Sequence, residues 1–138
     1  MRLWHKDLIP LLPRKQLLAQ WRECCCIARN ISVNGTPNHL LVNKVLDYPL
    51  THLWSYGCRV YVEMSIRGFS ADLNKLAEYF PSEAQKPLSM ALIWPSWHTP
   101  RYLLQCYYNL QEKYDCGGIS QEEWEPIRNY VEIRKNLV

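Results

Sequence analysis

Apolar residues recur at helical spacing in three long stretches of this chain, with glycine and proline between them. Leu17, Trp21, Cys24 and Ala28 fall at i, i+4, i+7 and i+11, the stripe that one face of an α-helix buries, and this predicts a helix over about residues 14 to 30. Asn34, Gly35, Thr36 and Pro37 break it. Leu50, Leu53, Trp54, Tyr61 and Met64 predict a second amphipathic helix, with Arg59, Glu63 and Arg67 spaced by four on its other face as an ion-pair ladder and Gly68 at its end. Leu103, Tyr107, Leu110 and Tyr114 continue a third, opened by Thr99 as N-cap with Pro100 at the first helical position and stopped by Gly117 and Gly118. Shorter helices are expected after the caps Ser70 and Asp72, reaching Phe80 before Pro81, and after the capping box of Ser120 with Glu123, where Pro126 should bend or restart the helix.

The remaining segments carry no such period. Pro10 and Pro13 forbid a long helix in residues 1 to 13 and suggest an extended N-terminal arm laid on the domain. The stretch from His39 to Leu46 is compatible with a strand, a short helix or a packed loop, and Pro87, Trp94, Pro95 and Trp97 mark an irregular loop. The expected fold is all-α: a compact single domain over residues 1 to 138, with about three main helices, shorter ones, and the arm.

Composition bounds this picture. With 138 residues, 48% hydrophobic and 21% charged, the chain has the length of one ordinary globular domain. No apolar run approaches the roughly 18 residues of a membrane span, and Arg2, His5, Lys6 and Asp7 interrupt any secretory signal, so a cytoplasmic protein is expected. Cys24, Cys25 and Cys26 are consecutive among the six cysteines, which argues for reduced thiols rather than a disulfide framework. The net charge is only +3, but Arg2, Lys6, Arg14, Lys15, Arg22 and Arg29 against Asp7 and Glu23 place all of the excess in the first thirty residues. That is a local footprint for a polyanion.

Candidate chemistry is sparse at first sight. The sequence has no glycine-rich phosphate loop, no HExxH and no CxxC pair. Successive helical residues point about 100° apart, so the cysteine triplet cannot gather around one metal, and no metal site or cofactor is expected. Lys15, Arg22, Cys26 and Arg29 form a basic strip on the first helix with Glu23 on its flank. Taken alone, such a strip is a solvated face. The aromatic residues, Tyr107 among them, are expected in the core, with no role assigned to them at the surface.

Met1 to His5, the run Asp7-Leu8-Ile9-Pro10 to Leu12-Pro13-Arg14, and above all Gln16-Leu17-Leu18-Ala19-Gln20-Trp21-Arg22-Glu23-Cys24 resemble the pyrimidine-dimer DNA glycosylases of the endonuclease V type. The specific match lies in about the first 25 residues. Weaker similarity continues through His39, Arg67-Gly68-Phe69 and Asn109 to Lys113. The resemblance implies an all-α single domain and a nucleophile that is the α-amine of the N-terminus. An α-amine has an ordinary pKa near 7.7 to 8.0 against about 10.4 for lysine, so an appreciable fraction of it is neutral at pH 7. Glu23 matches the catalytic glutamate, and Arg2 and Arg22 match arginines that hold phosphates around the lesion, with Arg29 added from the basic strip. His39 aligns with a histidine near the family's active site, and it reads equally well as a histidine hydrogen-bonded in place.

Two departures touch binding: Gln16 stands where the best-known branch has histidine, and Cys26 where it has arginine. A third touches the nucleophile. Arg2 is too large a second residue for ordinary removal of Met1, so the resemblance implies that Met1 is retained and supplies the amine, with a one-residue insertion between Arg2 and Leu17. The expected partner is double-stranded DNA carrying pyrimidine dimers or abasic sites, bound by a monomer. The alternatives are a lyase on abasic or otherwise damaged sites without dimer specificity, and a non-catalytic module that binds damaged DNA.

Overall fold

The computed structural model describes residues 1 to 135, so the last three residues of the expected domain lie outside it. Its α-helices are α1 (Arg14–Asn34), α2 (Leu50–Ile66), α3 (Asn74–Ala77), α4 (Pro100–Asp115) and α5 (Gln121–Lys135), and no strand occurs among the described residues. The fold is all-α, as the spacing predicts, and no helix among the described residues is long and apolar enough to cross a membrane. One continuous core joins Leu17, Trp21 and Cys24 of α1 with Leu53, Tyr56 and Val60 of α2 and Leu103, Tyr107 and Leu110 of α4.

Local chemistry sets the helix ends. Helix α1 runs on to Asn34, where Gly35 adopts a left-handed φ of 76° and donates its N–H to the Ile31 carbonyl, a turn that glycine enters without the Cβ penalty. At the other end, the Arg14 N–H is capped at 2.8 Å by the Glu123 carboxylate of α5. The Thr99 hydroxyl accepts from the Tyr102 N–H at 3.2 Å and caps α4, and the Ser120 hydroxyl accepts from the Glu123 N–H at 3.2 Å ahead of α5.

Several expectations change in detail. The α-helical part of the short helix expected after Ser70 and Asp72 is only Asn74–Ala77, because the chain tightens into i→i+3 turns at Tyr79 and Phe80 before Pro81. Pro126 does not restart α5, which is one helix: the proline ring sits on the exposed face while Trp124, Ile127 and Val131 bury theirs, and burial outweighs one lost backbone bond. The stretch around His39–Leu46 is a turn followed by a 3-10 helix, Asn43–Asp47, pinned by buried Val42 and Val45.

The N-terminal arm is more deeply built in than its prolines suggest. Residues 1 to 5 and 12 to 13 carry no regular structure, and between them Lys6–Leu11 form a 3-10 helix, whose tighter ladder accommodates Pro10. Leu3, Leu8, Ile9 and Leu12 are at most 1% exposed. On the ion-pair ladder Arg67 meets Glu63 at 2.9 Å, and its guanidinium also donates to the Leu12 carbonyl at 2.7 Å and the Pro10 carbonyl at 3.1 Å. The rung binds the arm to α2 more than it decorates a solvated face.

Candidate active site

Gln20 is fully buried on α1, a polar residue inside the apolar stripe, and it uses its whole hydrogen-bonding capacity. Its Oε1 accepts from the Trp4 N–H at 2.7 Å and lies 2.8 Å from the Tyr56 hydroxyl; its Nε2 donates to the Arg2 carbonyl at 2.9 Å and to Glu23 Oε2 at 3.2 Å. The Tyr56 hydroxyl is also 2.6 Å from the Trp4 carbonyl, so its single proton is shared between two acceptors. From α4, the Tyr102 hydroxyl donates to the Leu3 carbonyl at 2.7 Å. Burial pushes both phenols above their ordinary range, which keeps them donors at any working pH. Three helices thus fix the path of residues 2 to 4.

This clamp brings the start of the chain to Glu23. The Arg2 N–H donates to Glu23 Oε2 at 3.3 Å, and the half-buried carboxylate forms no ion pair within 4.0 Å among the described residues. Met1 is 40% exposed, and its amine lies one residue beyond the nitrogen that meets Glu23, about 4 Å further along the backbone. The Arg2 guanidinium lies 5.7 Å from the centroid of the Trp4 ring.

Beneath the clamp sits a buried aromatic cluster. His98 stacks against His5 at 5.2 Å and lies 4.8 Å from each of Trp94, Trp97 and Tyr102. Trp94 is fully buried with a left-handed φ of 47°, a conformation costing on the order of 1–3 kcal/mol for a bulky residue and held by the surrounding rings. Burial, followed by the nearby His5 and Lys6, pushes the His98 pKa well down. Lys6, on the N-terminal arm, is only 7% exposed: its ammonium donates to the Ile93 carbonyl and, at 3.4 Å, to that of Ala91. Desolvation lowers its pKa, but its protons are engaged by the 91–93 segment.

The other sequence-derived candidates are dispersed. Arg22 is exposed and faces a depression of about 570 Å³ shared with Trp21, Cys25, Asp72 and Lys75. Arg29 is exposed two turns further along α1. His39 is half-buried and accepts from the Leu41 N–H at 3.3 Å through Nδ1, while the Asn43 side chain accepts from its own N–H at 3.1 Å. It holds its own turn. The three consecutive cysteines point as a helix requires, Cys24 into the core, Cys25 beside α3 and Cys26 to solvent.

Sequence reading missed Gln20, Tyr56 and Tyr102, and of these only Gln20 left a signal, its polarity within a buried stripe. It also missed a second basic site, a cleft of about 620 Å³ beside Arg2 that Lys44 and Arg101 line. Comparison with protein families matches residues 1–77, the span from the chain start through α3, to the model described as pyrimidine dimer DNA glycosylase. No curated protein and no solved structure matches the chain.

Proposed function

The chain belongs to the pyrimidine dimer DNA glycosylase family, and from that premise we propose that it excises cyclobutane pyrimidine dimers with the α-amine of Met1 as nucleophile and then cuts the strand as an abasic-site lyase. The neutral amine attacks C1′ of the 5′ nucleotide of the dimer. The C1′–N bond breaks and its electron pair leaves with the base, which takes up one of the two amine protons; the C1′–O4′ bond then breaks, O4′ takes up the other, and the nitrogen lone pair forms the C1′=N imine. The imine makes the C2′ proton acidic; its removal places the electron pair between C2′ and C3′ and expels the 3′ phosphate. Glu23 orients the amine, stabilises the cationic transition state and assists removal of the C2′ proton. Arg2, Arg22 and Arg29 bind the duplex through their rigid forks on phosphates, and His39 joins that surface through the turn it holds. The reaction as written uses one protein chain and calls on no metal or organic cofactor.

The observation that carries this reading is the 3.3 Å contact of the Arg2 N–H with Glu23 Oε2, which sets a carboxylate without an ion pair among the described residues beside the first peptide unit of the chain. Borohydride reduction tests it, because only an imine is trapped as a stable protein–DNA adduct. Wild type should be trapped on duplexes carrying either a thymine dimer or an abasic site. Glu23→Gln should lose dimer excision by roughly a hundredfold or more while keeping dimer-duplex affinity within a few-fold. Excision by Glu23→Gln close to wild type removes Glu23 from the mechanism, and trapping on abasic DNA alone reduces the activity to a lyase.

A further inference from the structure

Leu40 is 86% exposed and Leu41 48% exposed, yet Val42 and Val45 just behind them are buried to within 2%. The turn that presents the leucines is held from within. Asn38 takes a left-handed φ of 54°, the Val42 and Asn43 N–H groups both donate to the His39 carbonyl, and the side chains of His39 and Asn43 cap the Leu41 and His39 amides. The fold therefore fixes an apolar tip in water. Both leucines line the cleft of about 620 Å³ whose other walls carry Arg2, Lys44 and Arg101, and no acidic side chain lines it. Two leucines are too little apolar surface for a stable protein interface, whereas three unopposed cations fit a polyanion.

We propose that the Leu40–Leu41 turn is a wedge that presses between base pairs at the lesion while Lys44 and Arg101 grip the neighbouring phosphates, an inference that rests on the proposed action on DNA. Apolar wedges unstack a base step and kink the duplex, and the extra backbone contacts of the bent form offset the unstacking. A damaged step stacks poorly, so wedging it costs least there. The turn thus contributes to damage selectivity without a base-specific hydrogen bond. His39 serves by holding the turn.

The test uses duplexes with one thymine dimer and 2-aminopurine at the adjacent step, with an undamaged duplex as control. Binding of wild type should raise 2-aminopurine fluorescence on the dimer duplex only. Leu40→Ser with Leu41→Ser, both at exposed positions, should lose most of that rise and roughly tenfold of the preference for damaged DNA, with an unchanged salt slope. Lys44→Gln with Arg101→Gln should lower the slope of log affinity against log salt by roughly two units and keep the rise at saturation. A full rise in the leucine variant, an unchanged slope in the cation variant, or a concentration-dependent dimer abolished by the leucine substitutions would overturn the proposal. Binding fluorescence does not depend on the covalent step, so failure of borohydride trapping with an intact fluorescence response would count against the imine mechanism alone.

Discussion

Gln20 shows how a single side chain can position the first residues of a chain. The amide satisfies the Trp4 N–H, the Arg2 carbonyl and Glu23 at once, so it sets the carboxylate and the first residues relative to each other. Gln20→Leu keeps similar bulk but leaves those groups and the Tyr56 hydroxyl competing for too few partners. With each buried unsatisfied group worth about 1–3 kcal/mol, the urea midpoint should fall by the equivalent of at least 2 kcal/mol. Excision should fall in kcat more than in KM, since Arg22 and Arg29, the other arginines proposed to bind the duplex, are untouched. A variant as stable as wild type would show that the network relaxes at no cost. Glu23 itself was legible only through resemblance: by pattern it is an acid on the flank of a basic helix strip. The clamp was not legible, because Gln20 finds its partners at residues 2, 4 and 56, and nothing in the spacing along α1 announces them.

At the scale of elements, α1, α2 and α4 follow from their stripes, and their ends from Gly35, Gly68 and Thr99, where one residue's conformational freedom or side-chain oxygen decides the boundary. The misjudged segments are those where two local rules competed. Prolines argue against an α-helix in the arm but allow the 3-10 form seen at Lys6–Leu11, and Pro126 is tolerated because α5 buries its other face. Helix α1 also separates two jobs: Gln20 and Glu23 turn toward the chain start, while Arg22 and Arg29 stay in solvent. The role proposed for exposed Arg22 is a phosphate contact. Arg22→Ala should therefore weaken dimer-duplex binding and lower the salt slope by about one unit, with little change in thermal stability. Unchanged affinity and slope would return Arg22 to an ordinary solvated position.

For the whole molecule, the aromatic cluster under the chain start makes stability depend on pH. His98, His5 and His52 all have pKa values lowered chiefly by burial. In the unfolded chain they titrate near 6.5, so below that pH the unfolded state binds more protons, and the folded state loses stability as pH falls toward the lowered values. Each such histidine contributes a slope of up to about 1.4 kcal/mol per pH unit. Urea unfolding between pH 7.5 and 5 should show stability falling below about 6.5, with a shallower fall in His98→Asn. A flat profile would mean that the cluster admits water. The coexistence of two basic sites, one at Arg22 and one at Arg2, Lys44 and Arg101, is likewise a property of the assembled chain that the charge tally of the first thirty residues does not contain.

The central claim is that the protein's own first nitrogen joins the DNA. Its rivals are lysines, and the most plausible by desolvation, Lys6, has its ammonium engaged by the carbonyls of Ile93 and Ala91. The direct measurement is peptide mapping by mass spectrometry after borohydride trapping on a dimer duplex, using protein whose unmodified Met1 terminus has been verified by intact mass. The sugar remnant should be found on the α-amine of the N-terminal peptide, and a protein acetylated at that amine should give no adduct. A remnant on Lys6, Lys15 or any other lysine, or full excision by the acetylated protein, would contradict the account.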